Sequence, residues 1–369
     1  MKLNVLLSVF FIFNYMKKLF SVITLLFNVI SLAQNGKNIQ FLVGTYTDSD
    51  SEGIYLYNFD KVNLKFEKIT SVFAKNPSYL ALSPDEKLLF SVSENGQEDS
   101  EVLSFSLDKK VGKINLINTQ NTKGGAPCYV MYDSGNKNVI TANYTGGNIS
   151  VFTITENGVL QEISQNITFD KHSHLHSVQF SPDKKRVLAT DLGTDKVYSF
   201  KLNDKRLQRI QNEDITLPKG MGPRHFTFSA DGKYLYVLGE LSREIIVLKQ
   251  KKNQFIKLQA IATDEFTNGK GAADIHISPD GKFLYASNRL VNDGIAIFSI
   301  QKSGKLKKIG YQVTKKHPRN FAITSDGKYM FVASQDENII QVFEIQLNGL
   351  LELKTELNVP KPVCIQFLQ

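Results

Sequence analysis

The chain has 369 residues, enough for one large domain or two or three small ones, and its composition is globular, with 42% hydrophobic and 22% charged residues. The net charge of +8 is mild, and the lysines stand in turns such as "DKK" and "KKNQ" rather than on one face, so no nucleic-acid footprint is expected. Two cysteines, Cys128 and Cys364, lie in apolar strand-like runs; they cannot make a disulfide framework and read as small buried hydrophobes.

The first 33 residues differ in kind. From Met16 they read MKKLFSVITLLFNVISLAQ: two lysines, an apolar run of about a dozen residues, then Ser31-Leu32-Ala33. This is the pattern of a secretory signal, with Met16 as a candidate start and Gln34 as the mature terminus. Export to the periplasm or medium is expected, with no membrane contact after cleavage; a non-functional leader would leave the protein cytoplasmic. An uncleaved anchor is the rival, since the whole apolar stretch could span a bilayer. Removing residues 1–33 takes away Lys2, Lys17 and Lys18 and no acid.

Beyond residue 40 no convincing long amphipathic helix occurs, and Val, Ile, Phe, Tyr and Thr favour strands. "FLVGTYT", "GIYLYNFD" and "KFEKITSVF" (residues 41–73) read as three strands. A turn signature then recurs: "LSPDEK" at 82–87, "YDSGNK" at 132–137, "FSPDKK" at 180–185, "FSADGK" at 228–233, "ISPDGK" at 277–282 and "TSDGK" at 324–328. The period is about 48 residues. Each unit repeats one plan: a short apolar strand, the Asp turn, a second and a third apolar strand ("KFLYASN", "GIAIFSI"), and a more polar fourth. Four short strands with regular turns describe one propeller blade.

Six full units run from about 76 to 358. The leftovers complement each other: residues 41–73 match strands two to four, and "PVCIQFL" (362–368) matches strand one. The expected fold is all-β, a seven-bladed β-propeller of four-stranded blades. Three N-terminal strands and one C-terminal strand close the ring and leave no open edge. Residues 34–369 form one domain, expected to be a monomer.

The start of strand one and the end of strand two lie opposite the Asp turn, so these positions from every blade line one mouth of the ring. All six histidines fall at or near the start of a strand one: His172, His174, His176, His225, His276 and His317. Arg224 and Arg319 join them there, while Arg289, Glu240, Asp191 and Glu94 end a strand two and Asp274 begins a strand one. Arginine holds carboxylate or phosphate through paired hydrogen bonds, so a basic mouth with a few carboxylates suits an anionic substrate. "HSHLH" lacks a convergent acidic set and is weak as a metal site; no metal and no cofactor are expected. "GMG" at 220–222 is followed by no helix, and no Gly-x-Ser-x-Gly elbow occurs.

On these residues the sequence resembles a family. "VGTYTDSDSEGIYLYNFD", "NPSYLALSPDEKLLF", "YTGGNISVF", "HLHSVQFSPDKKRVLATDLGTDKVY", "GPRHFTFSADGKYLYVLGEL", "ADIHISPDGKFLYASNR" and "PRNFAITSDGKYMFVASQ" are similar to the seven-bladed lactonases of the bacterial 6-phosphogluconolactonase type, themselves similar to fungal carboxymuconate cyclases. The resemblance implies a site of His176, Arg224, Glu240 and Arg289, all four of which the rim argument selects. It also implies a surrounding shell of Asp191, His225, His276, Arg319 and Gln335. "RLVNDGIAIF" departs from the family, whose loop after the arginine is often shorter. The implied activity is metal-independent hydrolysis of a small anionic sugar lactone, 6-phosphogluconolactone or a related aldonolactone. Arg224 and Arg289 would hold the substrate, and His176 or Glu240 would move the proton. A lactonising cyclase and a non-catalytic binding propeller are the alternatives.

Overall fold

The recurrent Asp turn sets the geometry of each blade. In "LSPDEK", Ser83 Oγ donates to Asp85 Oδ1 at 2.6 Å and accepts the Leu88 N–H at 3.0 Å, while Asp85 accepts the Lys87 N–H at 3.2 Å. Ser181–Asp183, Ser229–Asp231, Ser278–Asp280 and Thr324–Asp326 close in the same way. The residue after the aspartate is left-handed, with φ of 70° at Gly232 and 72° at Gly281. Glycine enters that region without a Cβ penalty, whereas Glu86 and Lys184 carry it at 55° and 57°.

The computed structural model describes residues 38–369 apart from 97–99, 136, 204 and 266–268. The proposed leader, its Met16 start and the Gln34 terminus lie outside the described residues. Seven antiparallel sheets follow one another along the chain, and six of them are four-stranded. Blade one joins Pro362–Phe367 to Asn38–Thr45, Gly53–Asp60 and Lys65–Phe73. Blades two to seven begin at Leu80, Pro127, Leu175, Pro223, Ala272 and Pro318. Strands two and three are buried through most of their length, as in Tyr234–Gly239 and Glu244–Lys251, because each blade packs between two neighbours. The fourth strand, such as Gln254–Ala262, faces outward and alternates with solvent.

Ring closure is as the sequence implied. Pro362–Phe367 pairs antiparallel with Asn38–Thr45, Val43 opposite Ile365. Phe41, Phe59 and Phe331 seal blade one against blade seven, with ring centroids 5.0–5.2 Å apart in edge-on geometry. Blade four departs from the four-strand plan. Its outer strand is split into Arg206–Arg209 and Ile215–Thr216, both paired with Lys196–Asn203 around a 3₁₀ turn at Gln211–Glu213. Asp214 Oδ1 accepts the Ser199 N–H at 3.0 Å, and buried Glu213 takes Arg186 Nε at 2.5 Å, so the break is held by side chains.

The feature that matters for function is a bulge at the start of strand one. In blade three Pro127 pairs with Asn143 and Tyr129 with Ala142, leaving Cys128 as an extra residue. His176, Arg224 and Arg319 occupy the same extra position in blades four, five and seven. A bulge re-aims one side chain out of the pleat, here at the end of the ring away from the Asp turns.

Candidate active site

Two sets of equivalent positions meet at this mouth. One is the bulged residue of strand one; the other is the residue that follows strand two: Tyr46, Glu94, Tyr144, Glu240, Arg289 and Gln335 in six of the blades. Together they build a basin with three walls.

Blades five and six make the first wall. Glu240 Oε2 lies 2.8 Å from Arg224 Nε and 3.0 Å from Arg289 Nη2, so two guanidiniums share one carboxylate oxygen. Arg224 and Arg289 are buried, while the Glu240 side chain keeps 20% exposure to the basin. Burial favours the neutral acid at Glu240, but Arg289 and Arg224 outweigh it and hold the carboxyl below its usual range. Burial and the neighbouring Arg224 push Arg289 down to about 9, which leaves it cationic at neutral pH. Arg289 also donates from Nε to Gly271 O at 3.2 Å, and its Nη1 meets His317 Nε2 at 3.2 Å. His317 Nδ1 in turn lies 3.0 Å from Asp336.

Blades three and four make the second wall. His176 is buried with Nδ1 3.7 Å from Cys128 Sγ, and Tyr144 packs edge-on against its ring at 5.6 Å. Burial, then Arg224, His225 and Arg319, hold the imidazole well below its usual pKa. His176 is therefore neutral at neutral pH. Burial pushes the Cys128 thiol up, so it stays protonated. Blades seven, one and two make the third wall. Arg319 Nη2 lies 3.3 Å from Glu94 Oε2, Tyr46 OH donates to the same oxygen at 2.9 Å, and the guanidinium sits over the Tyr46 ring. Burial opposes the Arg319 charge, but Tyr46 and Glu94 more than offset it.

The four residues expected at the centre, His176, Arg224, Glu240 and Arg289, are thus brought together; Arg319 and Gln335 stand at the same mouth. His225 lies beneath, its ring 5.3 Å from that of His176 and its Nδ1 2.8 Å from Asp274 Oδ1. Burial drives His225 down to about 4 despite Asp274. Two residues of the expected shell fall elsewhere. Asp191 is fully buried and spends its oxygens inside blade four, on the N–H groups of His174, Gly193 and Thr194 and on the Thr194 and Tyr198 hydroxyls. It shapes a turn and does not face the basin. His276 lies two residues further along its strand, on the other side of Asp274, with Nε2 3.0 Å from Oδ2. It lines a separate cavity of about 350 Å³ with Asn320, Ser325 and Gln366, at the end of the Asp turns. Among the rim histidines, His172 is exposed and His174 stacks on Tyr144 at 4.5 Å.

Tyr46, Cys128 and Tyr144 were not singled out as site residues by sequence, and Glu94 only as a rim carboxylate. Aligning the blades at the two mouth positions would have found them all. No group of three or more His, Cys, Asp or Glu side chains able to hold a metal occurs among the described residues. The convergent groups are guanidiniums, carboxylates and a neutral imidazole.

Comparison with known proteins places this arrangement. The family described as "Lactonase, 7-bladed beta-propeller" matches residues 40–367. The chain is 36% identical over 338 residues to a 6-phosphogluconolactonase of Formosa agariphila, covering 86% of this chain and 96% of that one. It is 33% identical to a 6-phosphogluconolactonase of Bacillus subtilis, covering 88% and 97%. Among solved structures, a putative 6-phosphogluconolactonase of Bacteroides fragilis superposes with a TM-score of 0.86 at 41% identity, over 90% of this chain and 98% of that one. A periplasmic gluconolactonase of Pseudomonas aeruginosa gives 0.84 at 29% identity, over 90% and 99%.

Proposed function

The chain belongs to the seven-bladed β-propeller lactonase family, and from that premise we propose that its basin hydrolyses a sugar lactone, 6-phosphogluconolactone or a related aldonolactone, without a metal. The observation that carries the reading is the sharing of Glu240 Oε2 by Arg224 and Arg289 beside a neutral His176. The single carboxylate leaves one guanidinium charge in excess, placed to take the oxyanion that forms at a lactone carbonyl.

Water attacks that carbonyl. His176 takes its proton: it is unprotonated at neutral pH, and its Nε2 hydrogen-bonds to no described residue. Glu240 is already committed to two cations, which makes it a weak base and a good clamp. The tetrahedral intermediate collapses with cleavage of the ring C–O bond. The imidazolium returns the proton to the departing alkoxide oxygen, giving a hydroxy acid whose carboxyl ionises into solvent. Arg319, Glu94 and Tyr46 supply donors and acceptors for the remainder of the sugar.

The test is a panel of phosphorylated, plain and carboxylated lactones, including carboxymuconolactone for the cyclase alternative, assayed with and without chelator. Hydrolysis of a sugar lactone at equal rates in both conditions is expected. Activity abolished by chelator overturns the metal-free mechanism, and inertness toward every sugar lactone overturns the substrate class. We further propose export, supported by the Met16–Ala33 pattern. Recovery of protein beginning at Gln34 outside the cytoplasm is the expected outcome, and an intact cytoplasmic leader overturns it.

A further inference from the structure

Lysines occur on both faces of the ring, in different company. At the Asp turns Lys87, Lys185, Lys233 and Lys282 lie 2.8–3.9 Å from the aspartate of their own turn. Lys328 lies 3.8 Å from Glu344, and Lys137 pairs with Glu156. On the basin face, each of the seven loops leading into a strand one also carries a lysine: Lys75, Lys123, Lys171, Lys219, Lys270, Lys316 and Lys361. Six are exposed and Lys361 is half-buried. None of the seven is in an ion pair with another described residue; the neighbouring Lys315, by contrast, reaches Glu337 at 3.6 Å.

The acids of this face are largely tied down. Glu94 and Glu240 face arginines, and Asp264 pairs with Arg243. Asp195 accepts the Gly220 and Gly222 N–H groups, and Asp293 those of Leu290 and His317. Of the exposed acids described on this face, Asp170 accepts the His172 N–H, Asp336 meets His317, Glu337 meets Lys315 and Glu52 meets Lys68, while Asp48, Asp50 and Glu265 stand in two loops, against a lysine in every blade. Each lysine stands two to five residues ahead of the strand-one position that reaches the mouth, so its backbone is within roughly 18 Å of the basin wall. Inside, Arg224, Arg289 and Arg319 outnumber Glu240 and Glu94. An approaching anion meets ammonium groups at the rim first and a net positive floor second.

We propose that these seven lysines form a capture collar that raises the encounter rate of negatively charged lactones, whether the charge is a phosphate or a carboxylate. The inference rests on the lactonase reading and deepens it by naming substrate charge as what the rim selects. The collar acts before chemistry, so its signature is in kcat/KM and in salt dependence rather than in kcat.

The experiment replaces Lys75, Lys123, Lys171, Lys219, Lys270 and Lys316 together by Gln and compares neutral, carboxylated and phosphorylated forms of a sugar lactone at low and high salt. For the anionic lactones at low salt, kcat/KM should fall about tenfold while kcat holds. The wild-type salt dependence should flatten, and the phosphorylated lactone, a dianion, should lose more than the carboxylated one. The neutral lactone should be unaffected. Unchanged kcat/KM for both anions, or an equal loss with the neutral lactone, overturns the collar. If the wild type hydrolyses no lactone, the lactonase reading fails, and the collar is judged by calorimetric binding of 6-phosphogluconate. Weaker low-salt binding in the variant supports it, and equal binding overturns it.

Discussion

Arg224 and Arg289 are both buried, and each would be costly there without the Glu240 carboxylate between them. The same contact keeps Glu240 ionised, so the three residues hold one another in their working charge states. Arg224→Ala and Glu240→Ala should each cut kcat/KM by about a hundredfold or more, measured on whichever lactone the wild type prefers. Unchanged turnover in both removes the assignment. His176 gives a pH signature. Burial and the cations Arg224 and Arg319, with His225 beneath, oppose its protonation. A base with a depressed pKa stays active as pH falls and is lost only when the imidazole is finally protonated. Activity should therefore be flat from pH 6.5 up to the range where Arg289 loses its charge, near 9, with its acid limb below 6.5, and His176→Gln should remove the acid limb along with most of the rate. A wild-type midpoint above 6.5 contradicts the role.

The repeated hairpin has its own energetics. Ser and Asp close the turn, while the next residue must be left-handed. Lys184 occupies that position at φ 57° with an exposed side chain. Lys184→Gly should stabilise the protein by about 0.5–1 kcal/mol, read as a higher urea midpoint, with Lys184→Ala giving no gain. At the opposite end of the same hairpins, the bulge explains why neighbouring residues serve different ends. Arg224 takes the extra position and faces the basin, whereas His225 returns to the pleat beneath it. His276 follows Asp274 by two residues, a step of about 6.6 Å along a strand, and that step carries it out of the basin into the cavity beyond. Five of the six histidines lie before or within the first three residues of a strand one, as expected, whereas His276 is the fifth residue of Ala272–Ile277 and does not stand at its start.

For the whole molecule the ring is the unit of stability, because every blade buries its faces against two others. The seam between Asn38–Thr45 and Pro362–Phe367 is where chain ends become ring. Deleting residues 360–369 would expose the edge of Asn38–Thr45 and uncover Phe41 and Phe331, which pack on Phe367. The truncated chain should aggregate or lose its single cooperative calorimetric transition. Retention of a wild-type transition would mean that the seam is dispensable. Closure also brings Arg319 of blade seven to Glu94 of blade two, 225 positions apart.

The sequence by itself determined the number of blades, their strand order, the ring closure and the end at which chemistry gathers. Those follow from local periodicity: a turn signature and apolar alternation repeated at a fixed spacing. It also marked Arg224, Glu240 and Arg289, because charge at a strand end stands out against a β background. Tertiary structure decided which side chains share the basin. Asp191 is drawn into its own turn, His276 is carried past the floor, and Tyr46 and Cys128 enter beside residues from other blades. These outcomes depend on a bulge of one residue and on contacts between distant blades, which exist only once the ring has closed.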